Sequence, residues 1–161
     1  MRRWFTGLIP VVLLLSGSVQ AQNGAGPNDV ISKSNVTIDL LKSIFENSYL
    51  EIKETGNDFF EMKDVYSIYV DLDNDSRYFT LSVNWPINDA SQADKLNLLN
   101  KIGKDVLLVT PYYSETGSSL IVKTTVWIEG GTLVKNIVMT EKLFVKALNL
   151  ILEKDTQKII Q

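Results

Sequence analysis

Apolar positions recur along this chain with two different periods. Tyr66, Ile68, Val70 and Leu72 alternate with Val65, Ser67, Tyr69 and Asp71, and Phe79, Leu81, Val83 and Trp85 alternate with Tyr78, Thr80, Ser82 and Asn84. Successive strand side chains point to opposite faces, so each run predicts a strand with one strongly apolar face. Asp73-Asn74-Asp75-Ser76 separates the two and predicts a turn. The first of these strands is expected to extend without a break from Phe59 to Leu72. A shorter alternation, Tyr49 to Glu54, predicts a strand before it. Val106 to Ile128 has an apolar run, a polar break with one Gly, and a run rich in Val, Ile, Thr and Trp. That is the pattern of a hairpin. In its second strand Leu120, Val122, Thr124, Val126 and Ile128 share one face, and Ile121, Lys123, Thr125 and Trp127 the other.

Three segments keep helical spacing instead. Ile38, Leu41, Ile44 and Phe45 follow Thr37, a suitable N-cap, and the helix should stop near Asn47 or Ser48. Ala93, Leu96, Leu99 and Ile102 follow Asp89-Ala90-Ser91-Gln92, which resembles a capping box, and Gly103 suits a C-terminal cap. Val134 to Leu152 holds the spacing for about five turns, with Thr132 as its cap and a stripe widened by Leu143, Val145 and Leu150. Residues 153–161 are polar and expected to fray. The order is therefore α-β-β-β-α-β-β-α. It predicts an α+β fold with helices packed on a mainly antiparallel five-stranded sheet.

The first residues follow a different logic. Arg2 and Arg3 precede an apolar core from Leu8 to Leu15, and Val19-Gln20-Ala21 offers small residues for cleavage. The run is too short for a membrane-spanning helix, which needs about 20 residues. Residues 1–21 are read as a signal peptide, residues 22–34 as a flexible leader, and residues 35–161 as a single domain. The protein is expected to be exported, to the periplasm of a Gram-negative bacterium, with no stable membrane span after cleavage. Cleavage would leave 14 basic and 19 acidic residues, a net charge of −5. That balance argues against a nucleic-acid partner, which needs clustered Lys and Arg.

Candidate chemistry is sparse. The chain has no Cys and no His, which removes thiolate chemistry and the commonest general base and metal ligand. Asp71, Asp73 and Asp75 match the opening spacing of a calcium loop, but Ser76 stands where Gly is required and Ser82 where a bidentate Glu is required. An ordinary turn uses the same residues. Glu51, Glu54, Asp58 and Glu61 read as a solvated face. Gly130-Gly131, between a strand and a helix, suits a tight turn better than an anion site. The chain is read as a non-enzyme without a cofactor. The alternative is a metal- or small-ligand-binding protein using the Asp71–Asp75 loop. The partner-binding candidates are aromatic: Tyr112 and Tyr113 near the hairpin tip, and Trp85 and Trp127 near strand ends, each of the last two also suited to the core. Adjacent Tyr112 and Tyr113 must face opposite ways in a regular strand. An unknown protein partner or self-association is expected.

From about Val36 to Lys154 the chain resembles the YbjN family, whose proposed role is bacterial sensory transduction regulation. The resemblance lies in Val36-Thr37-Ile38-Asp39-Leu40-Leu41, Phe79-Thr80-Leu81-Ser82-Val83, Leu96-Asn97-Leu98-Leu99-Asn100-Lys101-Ile102 and Val126-Trp127-Ile128-Glu129-Gly130-Gly131. It implies a fold similar to type III secretion chaperones and a role in binding or regulation, with no catalytic residues to carry over. The export signal departs from the family's pattern and points away from a cytosolic role.

Overall fold

The computed structural model of the chain describes residues 25–161; the expected signal peptide and residues 22–24 of the leader lie outside them. Helix α1 (Ile38–Glu46) starts on Thr37, whose Oγ1 accepts from the Leu40 amide at 3.1 Å. That satisfies one orphan donor of the first turn. Ile38, Leu41, Ile44 and Phe45 are its buried stripe, as their spacing requires. Helix α2 (Gln92–Asp105) is capped two residues later than expected, by Ser91 rather than Asp89. Ser91 Oγ accepts from the Asp94 amide and donates to the Asp94 carboxylate. The helix continues through Gly103 to Asp105.

Strands β2 (Glu51–Thr55), β3 (Phe59–Lys63), β4 (Ser67–Leu72), β5 (Tyr78–Pro86), β6 (Thr110–Tyr113) and β7 (Ser119–Trp127) form one sheet in the order β2-β3-β4-β5-β7-β6. Every neighbouring pair is antiparallel. The expected five-stranded sheet thus has six strands, because Phe59–Leu72 is two strands and not one. The chain reverses at Asp64-Val65-Tyr66, where the Asp64 amide donates to the Tyr66 carbonyl. Lys63 pairs with Ser67, Met62 with Ile68 and Phe60 with Val70. A three-residue loop keeps even-numbered residues on one face on both sides of the turn. The alternation therefore passes through the reversal undisturbed.

The hairpin from Val106 is also shorter than expected. Its first strand begins only at Thr110, and Leu108 adopts a positive φ of 70°.

A second, two-stranded sheet pairs β1 (Val30–Ile31) with β8 (Thr132–Leu133). From residue 25 onward the expected leader is thus held against the domain, and Ile31 is buried. Thr132, the expected cap of helix α3 (Val134–Lys154), lies in β8, and α3 has no side-chain cap. Its Val134 and Lys135 amides donate instead to the carbonyls of Asp29 and Pro27, at 3.1 and 2.9 Å. The backbone of the N-terminal strap does the work of a cap. Gly131, at φ +84°, makes the turn into β8.

The tail does not fray. Asp155 is buried, and its carboxylate accepts from the Ile159 and Ile160 amides at 2.9 and 2.7 Å. Ile160 bridges to Ile87, just past Pro86, and Ile159 and Ile160 are themselves buried.

The core lies between the helices and one sheet face. Phe60, Met62, Ile68, Val70, Phe79, Leu81, Leu120 and Val122 are all almost fully buried, and the strand register puts them on that same face. The opposite face is half-buried or exposed except at Thr80.

Candidate functional site

Parity along β7 decides what the uncovered face presents. Leu120, Val122, Thr124 and Val126 turn inward, so Ile121, Lys123, Thr125 and Trp127 turn out. Trp127 is 64% exposed. Its register partner on β5 is Tyr78, and the ring centroids are 5.1 Å apart with planes at 60°. The Arg77 guanidinium stands 6.0 Å from the Tyr78 ring centroid, within reach of its quadrupole. One corner of the bare face thus carries a contiguous Trp–Tyr–Arg patch. Large exposed aromatic surface backed by a rigid sheet is the kind of surface protein partners use.

The turn between β4 and β5 supports that corner. Arg77 Nε lies 2.9 Å from Asp73 Oδ2 and 3.6 Å from Asp75 Oδ2. The hydrogen bond from Arg77 holds the Asp73 carboxyl below its ordinary range. The Arg77 carbonyl accepts from the Ile128 and Glu129 amides, which ties the turn to the exit of β7. Ser76 takes a left-handed φ of 52°. Asp71 is elsewhere, paired with Thr80 in the sheet. Burial raises its pKa, Lys123 opposes that rise and Asp58 adds to it. The three aspartates therefore serve different neighbours. Among the described residues no group of three or more acidic side chains is placed to hold a metal ion.

The four aromatic candidates divide between the two faces. Tyr112 is paired with Ile121 on the bare face and is 42% exposed. Trp127 lies six residue steps along β7 from Ile121, about 20 Å at strand rise, so Tyr112 and Trp127 occupy opposite ends of one surface. Tyr113 is paired with Leu120 on the helix side. Its hydroxyl donates to the Lys95 carbonyl at 3.2 Å, and Lys95 Nζ donates to the Gly117 carbonyl, so Tyr113 fastens α2 to the hairpin. Trp85 is half-buried on the helix side, with the Tyr66 ring edge-on at 5.6 Å.

The two sheet edges differ. β2 shows Glu51, Lys53 and Glu54 to solvent and carries a register irregularity between Ile52 and Glu54, devices that discourage strand addition. β6 is short. The Ser114 amide bonds the Ser119 carbonyl, and bonded pairs alternate in an antiparallel ladder. Tyr112 then bonds β7, while Pro111 and Tyr113 turn their backbone outward. Pro111 deprives that open edge of one donor. Just before it, Leu107 and Leu108 are 79% and 69% exposed. Sequence reasoning missed this pair because it placed both residues inside a strand. Leu107 and Leu108 adjoin Val106 and Val109 in an unbroken apolar run without alternation, which is the signal that the strand reading overlooked.

A separate cavity of about 500 Å³ opens where α1 ends beside the start of α3, between Ala25, Pro27, Ile44, Val138 and Met139. Asn47, Ser48 and Lys135 also line it.

No family model and no curated protein matches the sequence. A solved structure does match: YbjN from E. coli, described as a candidate transcription regulator, superposes with a TM-score of 0.67 at 13% identity over 78% of this chain and 96% of that one. The fold is YbjN-like, in keeping with the resemblance seen in the sequence.

Proposed function

We propose that this chain is a non-enzymatic, exported binding or regulatory module of the bacterial envelope that acts through protein–protein contacts. The observation that carries the reading is the uncovered sheet face with the Trp127–Tyr78 pair at one corner and Tyr112 at the other end. Two further features support it. The chain lacks His and Cys, the commonest sources of acid–base and nucleophilic catalysis. Its first 21 residues have the n-region, apolar core and small-residue site of an export signal. The likeness to YbjN, itself named as a regulator, fits a regulatory role.

The test is site-specific photocrosslinking in intact cells. A photoreactive residue at Trp127 and, separately, at Tyr112 should trap the same envelope protein, and one at Asn97 on the exposed side of α2 should not. Equal background at all three positions would count against the reading. Fractionation of the same cells should find the chain in the periplasm, shortened at Ala21.

A further inference from the structure

Helix α3 turns one ionisable side chain into the core. Glu141 stands between Ile137 and Phe144 on the buried stripe, is 2% exposed, and its Oε1 has no hydrogen-bond partner. A charge on that buried oxygen would have no hydrogen-bond donor to stabilise it. Two charged groups bear on it. Asp64, in the β3–β4 turn, reaches it from across the interface, and Lys142 neighbours it on its own helix. The same turn is anchored further along α3, where the Tyr66 hydroxyl donates to Asn149 Oδ1 at 2.6 Å. Tyr66 in turn stands edge-on to Trp85. The β3–β4 turn therefore rests on α3 through two contacts, and one of them sets two carboxyl groups against each other. Asp64 is exposed and Glu141 is buried, so a charge on Asp64 makes ionisation of Glu141 costlier still.

We propose that Asp64 and Glu141 form a proton-dependent latch: with one proton between them the β3–β4 turn closes on α3, and loss of that proton lifts the turn off the helix. The direction follows from the setting. Burial first, then Asp64, push the Glu141 carboxyl up to about 7, and Lys142 opposes them. The latch is closed below that pH and opens above it. Opening moves Tyr66 and so changes the surroundings of Trp85, which gives the event an optical and magnetic reporter.

The experiment is an NMR titration of the full chain from pH 5 to 9, following the Glu141 side-chain carboxyl carbon, the Trp85 indole and the amides of residues 64–67. The expected result is one midpoint near 7 shared by all three, with protection of the turn amides falling at least tenfold above it. Glu141→Gln, isosteric with the protonated acid, should keep the turn closed throughout. Asp64→Asn, at an exposed position, should lower the Glu141 midpoint by removing the facing charge. A Glu141 midpoint below 5.5 overturns the latch. So does a Glu141 titration that leaves Trp85 and the turn unmoved, a step that survives Glu141→Gln, or a midpoint unchanged by Asp64→Asn.

Discussion

Tyr78 and Trp127 face each other across β5 and β7, ring centroids 5.1 Å apart, on the side of the sheet that the helices leave bare. An aromatic pair of this geometry contributes about 0.5–1.5 kcal/mol beyond its buried area. Most of Trp127 remains in contact with water. Trp127→Ala should therefore lower stability by about 1 kcal/mol in urea unfolding. Phe79→Ala, one residue along β5 from Tyr78 but fully buried, should cost about 3–5 kcal/mol. If Trp127 is a contact residue, its replacement should also abolish crosslinking from Tyr112 while leaving the fold intact.

Stability should fall as pH rises from acid to neutral. The Glu141 carboxyl is raised from 4.5 to about 7, so the folded state binds this proton more tightly than the unfolded chain does. The stability gained is complete below the unfolded value of 4.5 and is lost as pH climbs through about 7. The loss is at most about 3 kcal/mol. Glu141→Gln should remove most of that slope and leave the variant more stable than the wild type at pH 8. Burial also raises Asp71, which contributes in the same direction. Urea unfolding at pH 5, 6, 7 and 8 measures both curves.

Asp155 closes the C-terminal tail by accepting from two buried amides. Asp155→Ala leaves both donors without an acceptor and should cost about 2–3 kcal/mol. Hydrogen exchange at Ile159 and Ile160 should accelerate well before the sheet amides do. Loss of the Ile87–Ile160 bridge should loosen the end of β5 as well.

Gly103 lies inside α2, and a Cβ added there meets nothing within 4 Å. Gly103→Ala should stabilise by about 0.5–1 kcal/mol. Gly131→Ala should destabilise, since φ there is +84°. Thermal unfolding should shift by roughly 2–4 °C per kcal/mol for a domain of this size, in opposite directions for the two variants.

Much of this architecture is readable from spacing. The alternation that puts Phe79, Leu81 and Val83 together, and Leu120, Val122 and Val126 together, assigns the core face of the two central strands. It also assigns Trp127 to the face shared with Lys123 and Thr125, and it separates Tyr112 from Tyr113. The helical stripe behind Thr37 is equally plain. These features are local: each follows from the geometry of one strand or one turn of helix, and no distant residue is needed to specify them.

Other features were settled only when distant segments met. The reversal at Asp64-Val65-Tyr66 is invisible to a period of two, because a three-residue loop returns the same parity to the same face. The amides that open α3 find their acceptors in Asp29 and Pro27, about a hundred residues away, and hydrophobic spacing carries no record of backbone carbonyls. The tail is held by Asp155, whose single acidic side chain looks like any solvated charge until Ile159 and Ile160 fold back onto it. Glu141 sits on an apolar stripe, but which group would face it depended on where the β3–β4 turn landed. Residue order determined which side chains share a face. Packing decided which face is covered, which edge stays open and which charges are shut away from water.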